Sequence, residues 1–178
     1  MKKAFILGGT GDIGKSVISI FKKNGYRIIA PKRIELDLAD RYSIENYFQN
    51  KKLDIDVLIN CAGINEPKLF GEVSYDDIDK TNAVNFIGFL KVVQYLIPNT
   101  KRKRNGYILA ISSLFGFMAR TGRTTYVMSK HALNGLIKTL SLELAPYNIK
   151  ANTLSPGLVD TKLTRKNNDA KTIKDLKK

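Results

Sequence analysis

The sequence predicts an α/β chain built on a doubly wound parallel sheet with helices on both faces, and three observations predict it. Short unpatterned apolar runs, such as Ala4-Phe5-Ile6-Leu7 and Val57-Leu58-Ile59, read as strands buried on both faces. Segments with apolar residues at helical spacing separate them. The alternation persists from one end of the chain to the other, so strands are joined by helical crossovers and lie parallel.

The elements follow in order. Residues 4–7 form a first strand stopped by Gly8-Gly9. Over 13–23, Ile13, Val17, Ile20 and Phe21 stripe a helix that Asn24-Gly25 ends. Residues 27–30 make a second strand closed by Pro31, and 34–38 read as a short third strand. A helix is expected over 41–50, a fourth strand over 57–59, and a long helix over 74–97 stopped at Pro98. Residues 107–111 make a fifth strand. Leu133, Leu136, Ile137, Leu140 and Leu144 then stripe a helix that Pro146 ends, and a sixth strand covers 149–154. Beyond about residue 162 the chain is polar and lacks an apolar stripe, as in a mobile segment or a poorly packed helix.

Composition bounds the function. At 178 residues the chain has room for one ordinary domain. With 43% hydrophobic and 26% charged residues it is globular, which excludes a wholly disordered chain. A single cysteine, Cys61, excludes a disulfide scaffold. No run approaches the ~20 apolar residues that span a bilayer. The apolar run after Met1-Lys2-Lys3 is too short for a signal peptide, so no membrane association and a cytoplasmic location are expected. The net charge of +14 raises the question of nucleic acid. Apart from Lys101-Arg102-Lys103-Arg104 and the last seventeen residues, however, the basic side chains are scattered without interleaved aromatics. A solvated basic surface is expected, with no nucleic-acid partner.

Two constellations carry chemistry. The first strand runs into Gly8-Gly9-Thr10-Gly11-Asp12-Ile13-Gly14 and then a helix, fitting G-x-G-x-x-G from Gly9 and G-x-x-G-x-x-G from Gly8. Glycines allow close backbone approach, and the helix N-terminus offers unpaired N–H groups to a pyrophosphate, so a dinucleotide is expected here. At the end of the second strand an acid would bond the 2′-hydroxyl of NAD, whereas a base accommodates the 2′-phosphate of NADP. Lys32 and Arg33 stand there, which favours NADP(H) over NAD(H), and Asp37-Leu38 is expected near the adenine. The second constellation is Ser112-Ser113 at the end of the fifth strand, with Tyr126 and Lys130 four apart on one helix face. A cation beside a phenol favours the phenolate, tuning it to exchange protons with an alcohol or ketone oxygen.

With these residues in place the sequence resembles the short-chain dehydrogenase/reductase family over about residues 4–161, and looks like its 3-oxoacyl-acyl-carrier-protein reductases. Gly8 to Gly14 is similar to the cofactor loop, Asn60-Cys61-Ala62-Gly63 to the family's Asn-Asn-Ala-Gly motif, and Asn85 to the helix asparagine. Ser113, Tyr126 and Lys130 match the remaining catalytic set, and Pro156-Gly157 with Thr161 matches the segment holding the nicotinamide carboxamide. The resemblance implies a Rossmann fold and hydride transfer between nicotinamide C4 and a carbonyl or alcohol carbon. It makes Tyr126 the general acid in reduction, with Ser113 bonded to the substrate oxygen. Lys130 would bind the nicotinamide ribose and lower the tyrosine pKa, and Asn85 would hold a water linking Lys130 to solvent. Cofactor contacts are implied for Gly8, Thr10, Gly11, Asp12, Ile13 and Gly14. They are implied equally for Asn60, Ala62 and Gly63 after the fourth strand, and for Pro156, Gly157, Val159 and Thr161 near the end. No metal site is expected. Ser112 is read as structural, His131 as a packing or surface residue, and Cys61 as a small buried one.

The chain differs from the family pattern at Leu7, where many members carry Thr, and at Asp12, where the middle glycine is usual. The Gly8, Gly11, Gly14 spacing is closer to the loop of the family's extended relatives. Members usually continue past Pro-Gly through a substrate-covering helix, another helix and a last strand, which this chain does not reach, and they are usually homo-oligomers. Residues 1–161 are thus expected to form the dinucleotide-binding and catalytic domain, with 162–178 a basic tail beginning the substrate-covering region. The expected partner is a small-molecule or carrier-bound carbonyl, such as a 3-oxoacyl thioester or a sugar or polyol ketone. The alternative is a non-catalytic NADP(H)-binding or sensing protein of the same fold.

Overall fold

The computed structural model describes residues 1–49, 51–169 and 173. The apolar runs pair side by side into one parallel sheet: β1 (Lys3–Leu7), β2 (Arg27–Ile29), β3 (Val57–Asn60), β4 (Gly106–Ile111) and β5 (Ile149–Leu154), in the order β2-β1-β3-β4-β5. Register aligns Phe5 with Ile29 on one side and Leu58 on the other, and Ile108 with both Leu58 and Ala151.

Helices cover both faces. On one, α1 (Asp12–Lys23) lays Val17, Ile18 and Phe21 against Ala4, Ile6 and Ile59. On the other, α2 (Arg41–Phe48), α4 (Gly88–Lys103) and α5 (Thr124–Leu144) bury Ile44, Phe89, Leu96, Leu133 and Ile137 against Phe5, Leu58 and Ile108. The helix α3 (Tyr75–Asn82) runs into α4 through a π turn over Ala83–Ile87. Last comes α6 (Lys162–Asn167), capped by Thr161, whose side chain accepts from the Thr164 amide. The chain leaves β1 for β2 on one side and returns to β3 on the other. The crevice beyond the carboxyl ends of β1 and β3 is therefore the switch point where such sheets bind ligands.

Three expectations need correction. No third strand forms over 34–38. Lys32 starts a turn whose carbonyl accepts from the Glu35 and Leu36 amides, and the Glu35 carboxylate accepts from the Lys32 amide at 2.7 Å. The apolar alternation comes instead from a loop that dips Leu36 and Leu38 into the core and leaves Ile34 exposed. The expected fourth, fifth and sixth strands are thus β3, β4 and β5. The long helix also does not stop at Pro98 but continues to Lys103. Pro98 removes one amide, yet tertiary bonds hold the last turn: Asn99 donates to the Leu53 carbonyl, and Lys103 pairs with Asp54 and Asp56. Finally, α2 ends at Phe48, and Asn50, in the predicted helix, lies outside the described residues. Of the polar tail, α6 is helical, while 170–172 and 174–178 lie outside the described residues.

Candidate active site

The crevice at the switch point is shaped by its glycines. Gly8 has φ +70°, and a Cβ there would stand 2.5 Å from the Ala62 amide nitrogen, so the loops after β1 and β3 meet only through glycine. A Cβ on Gly14 would collide with the Gly8 carbonyl, whereas one on Gly11 would meet that oxygen only at 3.4 Å, an ordinary contact. Gly14 therefore packs the loop, while Gly11 lines the crevice without so tight a contact. No side chain caps α1, whose first-turn N–H groups stay available to a pyrophosphate. The Asp12 carboxylate turns away and accepts from the Lys162 amide at 2.7 Å, tethering α6 to the glycine loop. These features fit an extended dinucleotide.

At one end of the crevice a cavity of about 290 Å³ is walled by Thr10, Gly11, Arg33, Asp37 and Leu38, with Ala62 and Gly63 opposite. Arg33 bonds Asp37 at 2.9 Å and keeps its guanidinium largely in solvent, while Lys32 is exposed just outside this wall. Asn60 does not face the crevice. It is fully buried, and its Oδ1 accepts from the Ala62 amide at 3.0 Å, so it shapes the loop from beneath. At the other end Ile13, Gly63, Pro156, Gly157, Val159 and Thr161 converge with Ser113, Tyr126 and Lys130 around a cavity of about 120 Å³.

These last three come from two elements. Ser113 follows β4 and caps a 3-10 turn over Leu114–Gly116, its Oγ accepting from the Phe115 amide. Tyr126 stands in the first turn of α5, its ring edge-on to Phe115 at 6.3 Å. Lys130, one turn on and 3% exposed, donates from Nζ to the Ile111 carbonyl at 2.9 Å, with Nζ 5.5 Å from the Tyr126 ring centre. Asn85 sits fully buried in the π turn. Its Oδ1 accepts from the Ile64 amide at 2.7 Å, and its Nδ2 donates to the Ile64 carbonyl and to Ser129 Oγ. The side chain thus clasps the loop after β3 to α5. A π turn slips the hydrogen-bond ladder by one residue, a distortion frequent at functional sites.

Burial sets the electrostatics. The Lys130 ammonium has lost its water without gaining a carboxylate, and its pKa falls to about 8. Burial raises the Tyr126 phenol above its ordinary value, against smaller downward pulls from the Ser113 hydroxyl and the Arg123 charge. The phenol is protonated at neutral pH. Burial also pushes the Cys61 thiol to about 11, which leaves it a poor nucleophile.

Ser112 is buried beside Ser113 with its hydroxyl unpaired, and His131 is exposed on α5, bonded to the Val127 carbonyl. Sequence reasoning missed two residues. Ser129, fully buried, donates to the Tyr126 carbonyl while receiving Asn85, and its place three after Tyr126 on one helix face was the available signal. Arg123, three before Tyr126, is buried in the wall of an adjoining cavity. Among the described residues no group of three or more His, Cys, Asp or Glu side chains is placed to hold a metal, and no helix is long and apolar enough to cross a membrane.

Comparison with known proteins gives the same outline. The 3-oxoacyl-[acyl-carrier-protein] reductase of Thermotoga maritima is 31% identical over 93% of this chain and 77% of its own length. The solved structure of 4-hydroxyisoleucine dehydrogenase complexed with NADH superposes with TM-score 0.86 at 31% identity, over 91% of this chain and 78% of that one. ElxO with NADP bound superposes with TM-score 0.83 at 29% identity, over 93% and 77%. The family described as short chain dehydrogenase matches residues 31–172, beginning just after β2 and running through Ser113, Tyr126, Lys130 and α6. The glycine loop lies outside that match, yet its geometry completes the same crevice, and the chain belongs to the short-chain dehydrogenase family of oxidoreductases.

Proposed function

We propose that this chain is an NADP(H)-dependent oxidoreductase that reduces a carbonyl, or oxidises the matching alcohol, at the Ser113–Tyr126 end of the crevice. The observation that carries the reading is convergence. Ser113 and Tyr126 share a cavity wall, Lys130 is buried behind them, and the glycine loop opens at the far end of the same crevice.

The bound cofactor would supply the hydride from its reduced nicotinamide. The residues do the rest. Ser113 donates a hydrogen bond to the substrate oxygen and fixes the carbonyl beside the phenol. As the C=O π pair moves onto oxygen, Tyr126 donates its Oη proton there. Lys130 holds the nicotinamide ribose and returns a proton to the phenol. Asn85 keeps the loop after β3 in register with α5, and its second carbonyl lone pair is free for the water of a relay. Lys32 and Arg33 support a 2′-phosphate, because the nearby Glu35 and Asp37 carboxylates are held by the Lys32 amide and Arg33. The Thermotoga relative's name supports a 3-oxoacyl thioester as substrate, and a sugar or polyol ketone fits the same chemistry.

The test is NADPH oxidation with an acetoacetyl thioester and a panel of ketones. Tyr126→Phe lowers kcat by about 10²–10⁴ while cofactor binding persists. Full activity in that variant would remove Tyr126 from the mechanism. Cofactor binding without turnover on any substrate would mark a binding protein instead.

A further inference from the structure

Beside the phenol lies a second cavity, of about 190 Å³, and two of its wall residues are arginines that hydride transfer does not use. Arg123 precedes α5 by one residue and lies one turn before Tyr126. It is 6% exposed, and among the described residues its guanidinium donates to neutral oxygens: Asn65 Oδ1 at 3.3 Å and the Asn167 carbonyl at 2.9 Å. No carboxylate among the described residues bonds to it. Two of its five donors are used among the described residues, and the others are open to a ligand. Arg120, on the same wall, reaches Asn168 Oδ1 at 3.4 Å among the described residues. Burial and repulsion from Arg120 both lower the Arg123 pKa, the strain that an anion between them would relieve. Buried cations are normally paired, and Arg123, without a carboxylate partner among the described residues, lines the cavity that holds Ser113 and Tyr126.

We infer that Arg123 and Arg120 form an anion subsite, and that the carbonyl substrate is a compact oxo compound with a carboxylate or phosphate a few bonds from the reacting carbon. The inference rests on the hydride-transfer reading above. Arg123, at the N-cap of α5, and Tyr126, in its first turn, line the same cavity, so an anion on the guanidinium keeps a short substrate within reach of the phenol. The cavity of about 190 Å³ is continuous with the one around the phenol through Ser113, Tyr126 and Gly157, so it has room for a short oxo compound beside Tyr126. Leu114, Phe115, Leu158 and Leu163 offer apolar contact to its few carbons. A guanidinium matches either anion in a bidentate fork. In reduction the carbonyl carbon gains the hydride, its oxygen gains the Tyr126 proton and the nicotinamide is oxidised, so the anion itself is unchanged.

A purely structural role competes. Asn167 ends α6, and Arg123 bonds its carbonyl, so Arg123 also fastens that helix. Paired substrates separate the two. NADPH oxidation is measured with 4-oxopentanoate against its methyl ester, and with dihydroxyacetone phosphate against dihydroxyacetone. The parent prefers the charged member of at least one pair, and Arg123→Gln lowers kcat/KM for it about ten- to a hundredfold, with little change for the neutral partner. Arg123→Lys restores part of the loss, and Arg120→Gln shows a smaller one. Equal losses on charged and neutral substrates would reduce Arg123 to a fastener of α6 and overturn the inference, as would preference for the neutral members. If no substrate oxidises NADPH, the hydride-transfer reading fails, and binding decides the subsite alone. Pentanoate then raises the melting midpoint more than pentanamide at matched ionic strength, and Arg123→Gln abolishes the difference. No difference in the parent would also overturn the subsite.

Discussion

Lys130 shows how the site is held at a cost in stability. Its folded pKa of about 8 lies below its ordinary 10.5, so below pH 8 the chain carries a buried ammonium that the unfolded state would solvate. The charge costs about 3 kcal/mol at pH 7, and the cost shrinks between about pH 8 and 10.5, where the folded lysine has lost its proton and the unfolded one has not. Lys130→Met therefore raises the melting midpoint of the unliganded protein at pH 7, and the gain fades as the pH climbs through that window. A variant less stable than the parent at pH 7 would mean that the Nζ bond to the Ile111 carbonyl outweighs desolvation. Tyr126, raised by burial, gives a second readout: tyrosinate absorbance lost in Tyr126→Phe titrates above pH 10. At this scale Ser113, Tyr126 and Lys130 were legible, because few residue types combine a phenol, a hydroxyl and an amine at such spacing. Arg123 and Ser129 were not, since arginines and serines occur on any surface and only packing shows these to be buried.

Among elements, two helical glycines behave oppositely. Gly88 opens α4 where it crosses the loop after β2, and a Cβ there would stand 2.8 Å from Leu38 Cβ and still closer to the Leu38 carbonyl. Gly135 lies exposed in α5 with nothing within 4 Å. In a helix interior Gly→Ala usually gains about 1 kcal/mol. Gly135→Ala gains about that much in chemical denaturation. Gly88→Ala loses about 1–3 kcal/mol or more, because overpacking against backbone exceeds the helix-propensity gain. A stabilising Gly88→Ala would mean that the Leu38 loop yields. The same loop explains the misread third strand. Leu36 and Leu38 alternate with polar residues as a strand would, but their burial comes from a turn held by Glu35 and Asp37 side chains. Likewise Pro98 reads as a helix stop, and Lys103 with Asn99 override it through partners some 45 residues distant in sequence.

For the whole molecule, cofactor binding and stability are one measurement. A ligand that binds only the folded chain at a hundred times its Kd adds about 2.7 kcal/mol. In a chain of this size that is a rise of about 5–10 °C in melting midpoint. NADPH produces it and NADH at the same concentration produces less, while Arg33→Ala narrows the gap. Equal shifts would remove Lys32 and Arg33 as readers of the 2′-phosphate. The sequence by itself determined the parallel α/β architecture, the glycine loop and the Ser113, Tyr126, Lys130 set, because each is written in local periodicity or in residue types bound to one chemistry. Tertiary structure alone decided which buried groups lack partners. It gave Lys130 a carbonyl rather than a carboxylate among the described residues, turned Asp12 toward α6, sank Asn60 beneath the crevice and set Arg123 in the wall beside the phenol. Burial and pairing depend on segments far apart in the chain, and no local pattern encodes them.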